Sequence, residues 1–135
     1  EYARQIKSNA KHMAETFMKS GAKLVTNGTD NHMMLIDCVT SWNIAGQEAE
    51  TLFDRIGITL NKNMIPDDPR KPMDPSGIRL GTPAITTRGM KEQEMEILTE
   101  FMLQAIKHRE DDSALEELRK QVITFCLRFP VPGIA

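Results

Sequence analysis

The stretch SGIRLGTPAITTRG, residues 76–89, decides the fold that this sequence predicts. In its GIRLG segment, apolar residues alternate with other residues as they do in a half-buried strand. Ile78 and Leu80 would lie on one face and Arg79 on the other. The apolar pair indicates a face packed on a core, and the arginine indicates a face open to solvent. The stretch therefore predicts a strand that presents one cation on its uncovered side.

A helix is predicted to follow this strand directly. Thr82 is a favourable N-cap residue and Pro83 suits the first helical position, so a helical turn should begin there. Gly89 should end it.

Arg79 stands between Gly77 and Gly81, and this spacing has two interpretations. A guanidinium is a planar fork that pairs with both oxygens of a carboxylate. The glycines remove side chains that would keep a ligand, or another backbone, at a distance. An arginine on the open face of a strand is also a common solvated residue. From the spacing alone, a carboxylate site and a solvated side chain both stay open.

Apolar residues recur at the spacing of one helix face in several other segments. They predict helices over residues 2–19, 45–56, 91–108 and 113–128. Gly21 and Gly57 should end the first two. The residues predicted to face the core from the last two helices are Met95, Leu98, Met102, Ala105, Leu115, Leu118, Val122 and Phe125.

Extended segments are predicted at residues 23–26, 32–39 and 57–61. The first two flank Asn27-Gly28, a frequent turn of β-hairpins. Alternation in the second segment places Met34, Ile36 and Cys38 on the core face and Asp37 on the other face.

The segment NKNMIPDDPRKPMDPS, residues 61–76, has a proline at every third position from 66 to 75. This spacing excludes helix and strand ladder alike, so it predicts a long, stiffened loop. Loops of this length in compact domains are usually functional or disordered. The apolar side chains of Met64, Ile65 and Met73 favour an ordered loop.

Together these elements predict an α+β domain, a small antiparallel sheet of short strands covered by helices. The 135 residues suffice for one domain with a core. A net charge of −2 does not suggest nucleic-acid binding, and no apolar run is long enough to span a membrane. Cys38 and Cys126 are predicted to be unpaired thiols, which fits the cytoplasm. No metal site is predicted.

Two polar runs are candidates for binding. Asn61, Lys62 and Asn63 could read a polar heterocycle by its donors and acceptors, although asparagine also favours turns. The run from Thr29 to His32 could suggest a catalytic triad, but turn chemistry explains it better. No complete active site emerges from these residues alone.

Three segments in this order and with these gaps resemble one protein family. They are TNGTDNHMMLIDC (26–38), GITLNKNMIPDDPRKP (57–72) and SGIRLGTPAITTRG (76–89). They are similar to the C-terminal domain of serine hydroxymethyltransferase (glycine hydroxymethyltransferase), a fold-type I pyridoxal-phosphate enzyme. The resemblance implies that residues 1–135 are a single C-terminal domain of a longer enzyme. It would comprise a leading helix (1–20), a hairpin, helix and substrate loop (21–89), and C-terminal helices (90–135).

The resemblance also implies an activity, cofactors and partners. The family interconverts serine and glycine and passes a one-carbon unit to tetrahydrofolate, as a homodimer or tetramer. Arg79 matches the arginine that grips the substrate carboxylate, and Asn63 matches an asparagine that contacts the pterin ring. Lys71, Pro72 and Met73 match a tripeptide of the folate-binding loop.

Pyridoxal phosphate would be held mainly by a large domain whose lysine and phosphate motifs do not match here. No residue of this segment is therefore expected to be catalytic, and the segment alone should be inactive. The sequence departs from the family at three positions. It has Met73 where the family often has phenylalanine, Pro75 where the family often has threonine, and Asn27 where the family often has glycine. Arg88 is expected either to be structural or to support the site from behind, and no role is assigned to it.

Two alternative functions accompany this resemblance. A non-catalytic relative could keep the fold as an interaction or regulatory module, although the intact Arg79 and Asn63 speak against it. A threonine aldolase needs no folate contacts, so the folate-type loop disfavours it.

Overall fold

The computed structural model describes residues 1–27 and 32–133 and confirms the α+β class. The strands are β1 (Lys23–Leu24), β2 (Met33–Asp37), β3 (Asn61–Asn63) and β4 (Gly77–Gly81). The helices are α1 (Tyr2–Lys19), α2 (Cys38–Trp42), α3 (Gly46–Arg55), α4 (Pro83–Thr87), α5 (Glu92–Lys107) and α6 (Asp112–Cys126), with a 3₁₀ turn at Val25–Asn27. In the described part of the chain the strands form one antiparallel sheet in the order β1-β2-β4-β3.

The core lies between one face of this sheet and the helices. Ile36 of β2 and Ile78 of β4 are paired across the sheet and fully buried. Trp42 lies between Phe17 and Phe53, with ring centroids 6.2 and 6.1 Å apart. A fully buried apolar side chain such as Ile36 or Ile78 contributes about 1.5–3 kcal/mol of transfer free energy. The eight core residues predicted for the last two helices are all buried.

The glycine stops are confirmed, because Gly21, Gly57 and Gly89 have φ angles of 96°, 91° and 93°. Residues with side chains rarely adopt this left-handed conformation, which closes the C-terminus of a helix. Helix α4 begins at Pro83 as predicted. The Thr82 side chain makes no cap there, and its hydroxyl instead donates to the Ile6 carbonyl of α1 at 2.8 Å.

The hairpin strands are shorter than predicted. β1 and β2 do pair antiparallel, but β1 ends at Leu24, opposite Ile36. Thr26 has a φ of 62°, which interrupts the extended chain. Asn27 is the last residue of the 3₁₀ turn, and Gly28 of the predicted Asn27-Gly28 turn lies outside the described residues.

β2 ends at Asp37 because this residue caps a helix. Its carboxylate accepts hydrogen bonds from the Thr40 backbone N–H at 3.0 Å and the Thr40 hydroxyl at 2.7 Å. Cys38, predicted in the strand, is consequently the first residue of α2, although it is buried as expected.

The strand predicted at residues 57–61 is wrong, since the ladder begins at Asn61. The Ile58 N–H donates to the Phe53 carbonyl at 2.9 Å, and the Gly57 N–H donates to the Asp54 backbone carbonyl at 3.0 Å. These bonds close the C-terminus of α3, so Ile58 is not available to a strand.

Candidate functional site

The face of the sheet opposite the core carries the arginine singled out by the sequence. Arg79 is paired with Leu35 of β2 on one side and with Asn61 of β3 on the other. Residues directly opposite each other in antiparallel strands point to the same face. Arg79 therefore lies between an apolar and an amide side chain, in the middle of this open face.

The Arg79 side chain is exposed and has no protein partner within residues 1–27 and 32–133. A guanidinium has five N–H donors in a rigid fork, and here the described part of the chain uses none of them. Such a fork at the centre of a sheet can bind a carboxylate through two parallel hydrogen bonds.

Close packing explains the glycines on either side of Arg79. A Cβ atom built on Gly77 would lie 2.8 Å from Ile65 Cγ2 and 2.9 Å from the Ile36 carbonyl oxygen. One built on Gly81 would lie 2.6 Å from both the Met33 Sδ and the His32 carbonyl oxygen. The glycines thus admit neighbouring protein atoms, and Ile65 and Met33 flank the arginine.

A glycine of α3 likewise admits the backbone of β4. A Cβ atom built on Gly46, the first residue of α3, would lie 2.2 Å from the Gly77 carbonyl oxygen. The Gly46 N–H donates to the Pro75 carbonyl at 2.8 Å, and the Cys38 N–H donates to the Ser76 carbonyl at 2.9 Å. The chain entering β4 is therefore held from two sides before it reaches Arg79.

Asn63 shares the open face with Arg79. It is paired with Gly77, two residues before Arg79 on β4, and the alternation along β3 points Asn61 and Asn63 the same way. The Asn63 side chain is half-buried and donates to the Met64 carbonyl at 2.9 Å. The structure thus brings together two of the residues predicted to bind ligand.

The proline loop is ordered around one carboxylate that the sequence analysis missed. Asp68 accepts hydrogen bonds from the backbone N–H groups of Ser76 (2.8 Å), Arg70 (2.9 Å) and Ile65 (3.3 Å), and from the Ser76 hydroxyl (2.7 Å). Desolvation alone would raise the pKa of Asp68, but these hydrogen bonds outweigh it and lower the pKa from 3.8 to about 2. An Asp among prolines signals a turn, yet Ser76 as its partner cannot be read from spacing.

The predicted folate tripeptide Lys71-Pro72-Met73 lies at the exposed tip of this loop. The Asp74 N–H donates to the Lys71 carbonyl at 2.9 Å and closes the turn, and the Met73 side chain is 79% exposed. Lys62 Nζ donates to the Met73 carbonyl at 3.0 Å.

Lys62 anchors this tip to the sheet. It alternates with its asparagine neighbours on β3, so it points to the face opposite Arg79, and its amine also bonds the Gln47 side chain. The tripeptide is thus tied to β3 through the Lys62 side chain. Lys62, a candidate for reading a heterocycle, anchors the loop instead.

Arg88 contacts the C-terminal end of α6. Its Nη2 donates to the Cys126 carbonyl at 2.9 Å, and its Nε donates to the Phe129 carbonyl. These are carbonyl groups at the C-terminal end of α6, where helices leave acceptors unpaired. Arg88 thereby ties α4 to α6.

The remaining candidates carry no chemistry in the structure. His32 is exposed, and its backbone carbonyl accepts from the Thr82 N–H at 3.1 Å. Cys38 and Cys126 are free thiols, as predicted. Burial, and then the negative charge of Asp37, raise the pKa of Cys38 to about 12, so this thiol stays protonated. Within the described ranges no cluster of side chains has the composition of a metal site, and no helix is long and apolar enough to cross a membrane.

Comparison with known proteins points to one family. The serine hydroxymethyltransferase family model matches residues 1–102. The chain is 46% identical to a serine hydroxymethyltransferase of Rhodopirellula baltica over 134 residues, which is 99% of this chain and 32% of the relative. It is 48% identical to one of Myxococcus xanthus over 130 residues, 96% of this chain and 31% of the relative. The chain spans about a third of the length of these curated relatives.

Proposed function

Because this chain belongs to the serine hydroxymethyltransferase family, we propose that its complete protein interconverts serine and glycine with transfer of a one-carbon unit to tetrahydrofolate. Residues 1–135 form the C-terminal domain of that enzyme and are inactive alone. The observation that carries this proposal is the exposed guanidinium of Arg79, which no described residue pairs, on the open face of the sheet.

Arg79 binds the α-carboxylate of serine or glycine in this proposal. Two parallel N–H···O bonds fix the plane of the carboxylate as well as its position. The orientation of the amino acid is then set before reaction, which lowers the entropic part of the barrier. β4 supports this role because it is paired on both sides, so the backbone that carries Arg79 is held rigidly.

Asn63 reads the pterin ring of the folate in this proposal, since an amide matches a heterocycle that has both donors and acceptors. It shares its face with Arg79, so one open surface of the sheet would serve both substrates. The tip residues Lys71, Pro72 and Met73 contact the folate further out. The exposed Met73 side chain can provide the apolar contact for which the family often uses phenylalanine.

Pyridoxal phosphate, when bound, supplies the electron sink for bond cleavage at the amino acid. Among the described residues, Lys62 of β3 does not fit the task of holding it. Lys62, the lysine of β3, uses its amine on Gln47 and Met73 and points away from Arg79. We therefore assign cofactor binding to the rest of the protein and give this chain the task of orienting the substrates.

A homodimer or tetramer and a cytoplasmic location complete the proposal. The open face supports assembly, because Leu35 is only half-buried there. The free thiols Cys38 and Cys126 support a reducing compartment.

The test is an activity assay of the complete protein with serine, tetrahydrofolate and pyridoxal phosphate. We expect glycine formation that depends on both serine and folate, and none from residues 1–135 alone. A complete protein that folds and binds pyridoxal phosphate but forms no glycine would contradict the proposal and favour the non-catalytic alternative.

A further inference from the structure

The loop of residues 64–76 places one side chain beside the arginine. Ile65 Cγ2 lies 2.8 Å from the position that a Cβ atom would have on Gly77. A side chain at Gly77 would point to the same face as Arg79, two residues further along β4. Ile65 therefore lies on the open face over Gly77, two residues before Arg79 on β4.

Asp68 holds Ile65 in this position. Its Oδ2 accepts the N–H of Ile65 at 3.3 Å and that of Ser76 at 2.8 Å, which joins the two ends of the loop. Its Oδ1 accepts the Ser76 hydroxyl at 2.7 Å and the Arg70 N–H at 2.9 Å. One carboxylate thus fixes the loop directly before β4.

We propose that Asp68 is a positioning residue for substrate binding, and that Ile65, which it holds, is the apolar wall of the carboxylate site at Arg79. This inference rests on the proposed function. An apolar wall excludes water from one side of the guanidinium. The ion pair with the substrate carboxylate is strengthened as a result, because charges interact more strongly where water is excluded.

The first test compares two neighbouring aspartates in the complete protein. Asp68→Asn replaces one of the two accepting carboxylate oxygens with an NH2 group, which cannot accept an N–H or O–H group. We expect the KM for serine to rise about tenfold while kcat stays within about twofold, because substrate binding and not chemistry is altered. Asp67→Asn is the matched control, since Asp67 bonds no described side-chain donor and its φ of 55° suits asparagine. Its KM should stay within about twofold of the wild type.

A second measurement separates positioning from general damage. Ethanolamine has the amine and hydroxyl of serine but no carboxylate, so its inhibition constant should not respond to Arg79 or to its wall. We expect this constant to stay within about twofold in Asp68→Asn. A parallel weakening of serine and ethanolamine, or an unchanged KM for serine, would overturn the inference. An inactive wild-type protein would instead contradict the proposed function.

The wall itself can be tested with Asp68 in place, which also covers a failure of Asp68→Asn to fold. Ile65→Ala removes the Cγ2 atom that faces Gly77 and should raise the KM for serine about fivefold. Ile65→Val keeps Cγ2 and should recover most of the lost affinity. A folded Ile65→Ala protein with the KM of the wild type would overturn the inference.

Discussion

Asn9 on the helix-covered side of the sheet and Arg79 on its open side differ in what satisfies their polar groups. On the covered side, Asn9 of α1 is fully buried, and its amide donates to the Thr86 hydroxyl and the Met90 carbonyl, each at 2.9 Å. Its oxygen accepts from Gln5 at 2.9 Å. On the open side, the guanidinium of Arg79 bonds to no described residue.

This difference separates groups that stabilise the fold from groups that are free to bind a ligand. A buried polar group must be satisfied by the protein, because leaving it unpaired costs about 1–3 kcal/mol. An exposed group can be satisfied by water until a ligand displaces it. Loss of Asn9 should therefore reduce stability, and loss of the Arg79 fork should reduce binding.

The largest effect is expected for Arg79→Lys in the complete enzyme. Lysine keeps the positive charge but cannot form two parallel bonds to a carboxylate, so kcat/KM for serine should fall about 100-fold or more. The urea midpoint should not change, because the fork stabilises nothing in the described part of the chain. Steady-state kinetics and urea denaturation of the same preparation measure both. Michaelis constants near those of the wild type for serine and glycine would remove the carboxylate role from Arg79.

Asn9→Ala should show the reverse pattern. It removes three hydrogen bonds and takes the described donor from the Thr86 hydroxyl and the Met90 carbonyl, so stability should fall by about 2–3 kcal/mol. Turnover per folded molecule should stay the same. The matched control is Asn61→Ala, since Asn61 is an exposed amide with one hydrogen bond of 3.3 Å to the Lys62 carbonyl. This control substitution should lower the stability by less than about 0.5 kcal/mol. Equal losses of stability in both variants would contradict the comparison.

Asn63→Ala sharpens the assignment of the open face. The KM for tetrahydrofolate should rise about tenfold, which corresponds to one good hydrogen-bonded contact. Cleavage of a β-hydroxy amino acid without folate should change less than about twofold and serves as the internal control. If both reactions weaken equally, Asn63 supports the sheet and does not read the folate.

Local signals in the sequence predicted the elements whose ends depend on neighbouring residues. β4, the start of α4 and the glycine stops follow from residues within one turn of each other. The Asp37 cap is equally local, and an Asp three residues before Thr40 was a signal that could have ended β2 correctly.

Long-range contacts account for what the sequence could not show. β3 begins at Asn61 because the ladder with β4 places it there, and no neighbouring residue records that register. The same register puts Asn63 and Arg79 on one face and sends Lys62 to the other. Candidate site residues could therefore be named one by one, but their grouping required the pairing of strands.

The smallest effect is a pH dependence of stability at the loop that flanks Arg79. The pKa of Asp68 is lowered from 3.8 to about 2 in the folded state, so folding favours its ionised form. Its contribution to stability is complete above the unfolded value and is lost as the pH falls from about 4 to about 2. Urea midpoints of the wild type and Asp68→Asn should therefore differ at pH 6 and converge over this window. Asp67→Asn gives the reference curve for removal of a carboxylate that binds no described donor. A wild-type advantage over Asp68→Asn that stays constant down to pH 2 would mean that the four hydrogen bonds do not depend on the charge of Asp68.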